Sequence, residues 1–81
     1  MVLKILSSSK EEIELEVDNL TIAEILRVYL NKDDSVVFAA WRRSHPTKNP
    51  ILLVKTKDKN PKKAVEDAVK QLDKDLEKIE I

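Results

Sequence analysis

The chain has 81 residues, and its 15 lysine and arginine side chains are balanced by 15 aspartate and glutamate. A chain this short predicts one domain, residues 1–81, with a modest core that removes roughly 60–65% of the unfolded surface from water, and its neutrality argues against a freestanding nucleic-acid binder. There is no cysteine and no glycine, which excludes disulfides, thiolate metal sites and the glycine-built loops that cradle phosphates, dinucleotides or RNA backbone.

The first residues, MVLKILSSSKEE, lack the long apolar stretch of a signal peptide. No apolar run exceeds six residues, against the ~20 needed to cross a bilayer. A soluble, cytoplasmic protein is the expectation. Residues 2–6, VLKIL, fit a short strand, and SSSK reads as a hairpin loop. Residues 11–17 alternate cleanly. Ile13, Leu15 and Val17 share one face and Glu12, Glu14 and Glu16 the other, the period of a half-buried antiparallel strand. Thr21 and Glu24 have the spacing of a capping box, which predicts a helix over TIAEILRVYLN, residues 21–31. KDDS ends it.

Residues 36–41, VVFAAW, and 51–56, ILLVKT, read as two further strands joined by the long loop RRSHPTKNP, since β-branched and aromatic residues favour strand over helix. Val36, Phe38 and Ala40 are assigned to the core face of the first of these, with Val37, Ala39 and Trp41 on the other. Asn60 and Pro61 suit the cap and first turn of a last helix, residues 61–80, with Val65, Ala68, Val69, Leu72, Leu76 and Ile79 as its apolar stripe. Pairs such as Lys63–Asp67 lie one turn apart on its wet side. The order is ββαββα. It predicts an α+β fold of two layers, a mostly antiparallel four-stranded sheet with both helices on one face.

The first predicted helix is too apolar for one contact. Ile22, Ile25, Leu26, Val28, Tyr29 and Leu30 spread over roughly 200° of its circumference, whereas packing on a sheet needs an arc of only about 100°. The expected split sends Ile22, Leu26 and Leu30 to the sheet and Ile25, Val28 and Tyr29 to a partner. VVFAAW and ILLV are likewise apolar on both faces, and contiguous exposed apolar surface marks an interface.

Catalytic chemistry finds few candidates. His45 is the only histidine, and its neighbour Ser44 cannot form a triad with it from the same loop. Zinc would need several histidine or cysteine ligands. The carboxylates lie among lysines as solvated faces do, so no catalytic residue, metal site or cofactor is expected. Arg42 and Arg43 are suited to phosphate or an acidic protein surface, and Trp41 beside them to stacking.

LTIAEILRVYLNKDDSVVFAAWRRSHP resembles the signature of archaeal RNA polymerase subunit L, a family of small α-like subunits distantly related to the bacterial α-subunit dimerisation domain. Thr21-Ile22, Leu26-Arg27, Asp33, Val36, Phe38-Ala39-Ala40-Trp41 and His45-Pro46 fit the pattern in order and spacing. Glu24 stands where the family has asparagine, Asp34 and Ser44 where it has proline, Trp41 where it has tyrosine, and Asn19-Leu20 where it has aspartate-histidine. The resemblance implies a non-catalytic scaffold subunit. It would heterodimerise with a D-like subunit, largely through helices, as a platform for the large catalytic subunits, touching DNA only through the complex. Ile25, Val28, Tyr29, Val65, Val69, Leu72, Leu76 and Ile79 are the expected interface, and Trp41, Arg42, Arg43, His45 and Pro46 a possible docking loop. The competing expectations are an autonomous nucleic-acid-binding module and an enzyme on a similar scaffold, such as a pterin dehydratase.

Overall fold

Alternation in one strand sets the layers. In the computed structural model, which describes residues 3–77, Ile13, Leu15 and Val17 are each at most 2% exposed, and they point under the helices. The elements are β1 (Leu3–Ser8), β2 (Glu12–Val17), α1 (Leu20–Asn31), β3 (Val36–Arg42), β4 (Ile51–Thr56) and α2 (Pro61–Glu77). The ββαββα order and α+β class are as the sequence predicts.

All pairings are antiparallel, and the strand order is β1-β2-β4-β3. The central pair β2–β4 aligns Ile13 with Val54 and Leu15 with Leu52. Both members of each pair are buried, so these positions form the floor on which the helices sit. From above, α1 closes it with Ala23, Leu26 and Leu30, and α2 with Ala64, Val65, Ala68 and Leu72. Each larger side chain fully buried here contributes on the order of 1.5–3 kcal/mol. The contacts of α1 are mainly with β3 and α2, while α2 lies over β4 and β2.

Three local expectations are corrected. The Thr21–Glu24 capping box does not form. Asn19 is the N-cap of α1, its Oδ1 accepting from the backbone N–H of Thr21 at 2.8 Å and of Ile22 at 3.2 Å. Glu24 is drawn away by partners outside the helix start. Second, the facing of β3 is reversed from Phe38 onward. Val36 pairs with Thr56 and faces the helices, but the register slips between Val36 and Phe38. This bulge adds one residue and resets the alternation. Ala39 and Trp41 therefore face the helices, whereas Phe38, 45% exposed, and Ala40 face outward. Third, β1 runs through Ser7 and Ser8, with its own register shift after Ile5.

The last helix starts as predicted, with Asn60 Oδ1 accepting from Lys62 N–H at 2.9 Å. Its expected extension to residue 80 passes beyond the described residues. Without a glycine for the turn before it, the chain places Asp58 at φ 60°, a left-handed conformation that aspartate tolerates better than most residues.

Asn19→Ala is expected to cost about 1 kcal/mol of stability through loss of the cap. Thr21→Ala should change stability by no more than about 0.5 kcal/mol, as an exposed substitution does. Urea unfolding of both variants checks this; equal losses would return the cap to Thr21.

Candidate dimerisation surface

Helix α1 is held on both flanks, and this decides which of its apolar residues remain outward. On the β3 side, Glu24 accepts from Trp41 Nε1 at 2.6 Å and from Arg27 Nε at 3.1 and 3.2 Å. Asn31 Nδ2 donates to the Ala39 carbonyl at 3.2 Å. The Arg27 guanidinium, and then the Trp41 indole, hold the Glu24 carboxyl down from 4.5 to about 2. On the α2 side, the Tyr29 hydroxyl donates to the Asp75 carboxylate. That bond retains the phenolic proton and raises the tyrosine pKa above its ordinary value. Lys32 Nζ lies 5.9 Å from the Tyr29 ring centre, within cation–π range.

Further along the same cleft, Lys59 Nζ bridges Asp33 at 2.7 Å and Asp67 at 3.1 Å. Position 29 of α1 thus meets position 75 of α2, while the end of α1 meets position 67 through Lys59. The helices are antiparallel. The cleft between them, about 380 Å³, is polar at its mouth, with Tyr29, Lys32, Asp33, Asp67, Gln71 and Asp75.

Between its two tethers α1 leaves a narrow outward ridge. Val28 is 38% exposed, and Ile25 is half-buried against the core. Helix α2 differs. At about 100° per residue, its outward ridge is Lys63, Lys70 and Lys74, and Lys63 pairs with Asp67 at 3.5 Å. Its apolar flank overhangs the edge strand, where the partly buried Val69 lies beside the core residue Val65. With Leu3, Ile5, Ile13 and Leu15 they line an open groove of about 360 Å³, rimmed by Lys62, Glu66 and Lys70. Ile5 is 45% exposed there.

The predicted interface residues are thus distributed over three settings. Val65 and Val69 line the groove, Ile25 and Val28 form the α1 ridge, and Tyr29 closes the interhelical cleft. Leu72 lies beneath α2 at 2% exposure. The Leu76 side chain and Ile79 lie outside the described residues. Leu3 and Ile5 were not predicted. Their only signal is that VLKIL is apolar at positions that a two-residue period brings to one face.

The predicted docking loop also divides. Trp41 faces the helices, pinned to Glu24, whereas Arg42 is on the outer face, 3.9 Å from Glu14. Arg43, His45 and Pro46 belong to a segment, residues 43–49, that is exposed throughout. His45 Nδ1 accepts from Thr47 N–H at 3.3 Å and lies 2.8 Å from Thr47 Oγ1, so the ring shapes its own turn.

A family model described as the RNA polymerase Rpb3/Rpb11 dimerisation domain matches residues 10–81. The chain belongs to this family. Its relatives place it on the Rpb11, or subunit L, side. DNA-directed RNA polymerase subunit Rpo11 of Methanococcoides burtonii is 33% identical over 75 residues, spanning 89% of this chain and 82% of the relative. Subunit RPB11 of RNA polymerase II from Schizosaccharomyces pombe is 38% identical over 71 residues, spanning 85% of this chain and 58% of the relative. The crystal structure of DNA-directed RNA polymerase subunit L from Thermoplasma acidophilum superposes with a TM-score of 0.82 at 31% identity, covering 96% of this chain and 80% of that one.

In this Rpb11-like chain Glu24 and Trp41 tie α1 to β3 by a hydrogen bond. The depressed Glu24 pKa makes this tie pH-sensitive. Its contribution is present above about pH 4.5 and is lost as pH falls toward about 2. Asp33 and Asp67, also lowered, chiefly by Lys59, act in the same direction, so the comparison must isolate Glu24. Thermal midpoints of the parent and Glu24→Gln should converge on acidification through that window. Parallel profiles would show that the tie adds nothing.

Proposed function

We propose that the chain is a non-catalytic assembly subunit of a multisubunit DNA-dependent RNA polymerase. It would pair with a D-like subunit, and the heterodimer would be the platform for the large catalytic subunits; a cytoplasmic location goes with that role. The observation that carries the reading is the open apolar groove beside α2, in a chain of the Rpb3/Rpb11 dimerisation-domain family. An apolar furrow between a helix and an edge strand suits an amphipathic helix of a partner, which would complete the layer over β1.

Val65 and Val69 with Leu3 and Ile5 form the seat. The sequence stripe continues it through Leu76 and Ile79, and Leu72 supports it from beneath. Because the helices are antiparallel, the start of α1 lies beside the later turns of α2. Ile25 and Val28, with Tyr29 behind them, then extend the same interface. The exposed Arg42, Arg43, His45 and Pro46, with Trp41 as the anchor behind them, remain for contacts with other subunits of the assembly.

Co-expression and pull-down with a D-like subunit tests the pairing. Retention of the D-like subunit by the parent chain is expected. Val69→Asp, Ile25→Asp and Val28→Asp should each weaken it by tenfold or more, because burying an unpaired carboxylate in an apolar contact costs more than the roughly 2–7 kcal/mol of an unpaired neutral polar group, and about 1.4 kcal/mol is already tenfold. Parent-like binding by all three variants would move the interface elsewhere, and no binding by the parent chain would overturn the function.

A further inference from the structure

The sheet face turned away from both helices carries an apolar strip that dimerisation through the groove does not use. Strand β3 contributes Val37, 65% exposed, and Phe38, 45% exposed. Register sets Ala40 opposite Leu53, both half-buried, with Ile51 next along β4 opposite Arg42. The bulge in β3 creates this strip by turning Phe38 outward. At the Arg42 end it runs into the exposed segment 43–49. Residues 42–50 hold Arg42, Arg43 and Lys48 and no carboxylate. Arg42 reaches Glu14 only at 3.9 Å, with its side chain 65% exposed. Arg43 and Lys48 make no ion pair among the described residues.

We propose that this strip and the basic segment together form a second docking surface. Its occupant is a polypeptide segment with apolar side chains for Phe38 and Leu53 and carboxylates for Arg42, Arg43 and Lys48. Two observations select that chemistry. Lys55, opposite Phe38, is occupied by Glu12 at 3.9 Å, whereas the cations of residues 42–50 sit at one end of the strip with, among the described residues, a single carboxylate, Glu14, within 4 Å of Arg42, so an acidic partner gains charge-assisted bonds there. Nucleic acid would leave the apolar strip uncovered, and its phosphates would run beside Glu12, Glu14 and Glu16, which line the same face on β2. The inference does not depend on the D-like partner, because the groove lies on the opposite face, but it deepens the reading that Arg42 and Arg43 are left for contacts with other subunits.

The test is amide NMR of the isotopically labelled full chain. The probe is a synthetic peptide of leucines alternating with serines and ending in a run of aspartates. Saturable shifts are expected, confined to β3, β4 and residues 42–48. Phe38→Ser, or Arg42→Glu with Arg43→Glu, should weaken binding by about tenfold, while Val69→Asp leaves it unchanged. Undisturbed amide positions elsewhere show that the variants fold. Absent shifts, shifts centred on Leu3, Ile5, Val65 and Val69, or equal binding of a peptide with lysines for aspartates would each overturn the proposal. So would the same shifts from a thymidine oligonucleotide. Concentration-dependent shifts of the strip without peptide, with a doubled mass by light scattering, would reassign it to a second copy of the chain.

Discussion

Every later feature depends on the sidedness of the β2–β4 pair. Ile13 lies against Val54 and Leu15 against Leu52, and all four are shielded from water. A neutral, highly charged chain of this size has few side chains with which to drive collapse. It concentrates them on one face of two adjacent strands and sets both helices there. The price is the other face, where β2 shows glutamates and β3–β4 shows Phe38, Ala40, Ile51 and Leu53. A two-layer fold has no third layer to cover them.

The two helices are seated by different forces. Polar ties hold α1 on both flanks, Glu24 and Asn31 to β3 and Tyr29 to α2. Helix α2 rests on small and apolar residues, Ala64, Ala68 and Leu72, and shows lysines outward. Tying α1 toward β3 draws the helical layer to that side of the sheet. Two helices cannot cover four strands evenly, and the uncovered remainder is the edge strand β1. The groove proposed for dimerisation lies where this leaves β1 uncovered, on the far side of the layer from the Glu24–Trp41 bond.

What could be read in the sequence follows from how local each signal is. The alternation of β2, the Asn60-Pro61 start of α2 and the stripe through Val65, Val69 and Leu72 are local, and the element order came from them. Strand order is not local. ILLV is apolar at successive positions because β4 is central, with a neighbour on each side and a helix layer above, but the pattern alone fits any buried strand. Phe38 was placed on the wrong face because a bulge inserts a residue without any compositional mark, and a strict two-residue count then inverts everything from Phe38 onward. The cap was misassigned for a related reason. Asn19 and Thr21 are both capping residues, and what decides between them is Glu24, which engages Arg27 and Trp41. That preference is tertiary.

The same distinction separates the parts of the proposed interface. The excess of apolar residues on α1 was visible as an arc too wide for one contact. Its division between sheet, cleft and ridge was not, because it depends on Tyr29 finding Asp75 46 positions away. Once Tyr29 is drawn into the cleft, the outward ridge of α1 shrinks to Ile25 and Val28, too narrow to hold a partner alone. The wider apolar surface is the groove, assembled from Leu3 and Ile5 at one end of the chain and Val65 and Val69 near the other. A surface built from such distant segments exists only when the sheet is closed, so this chain presents it only after folding.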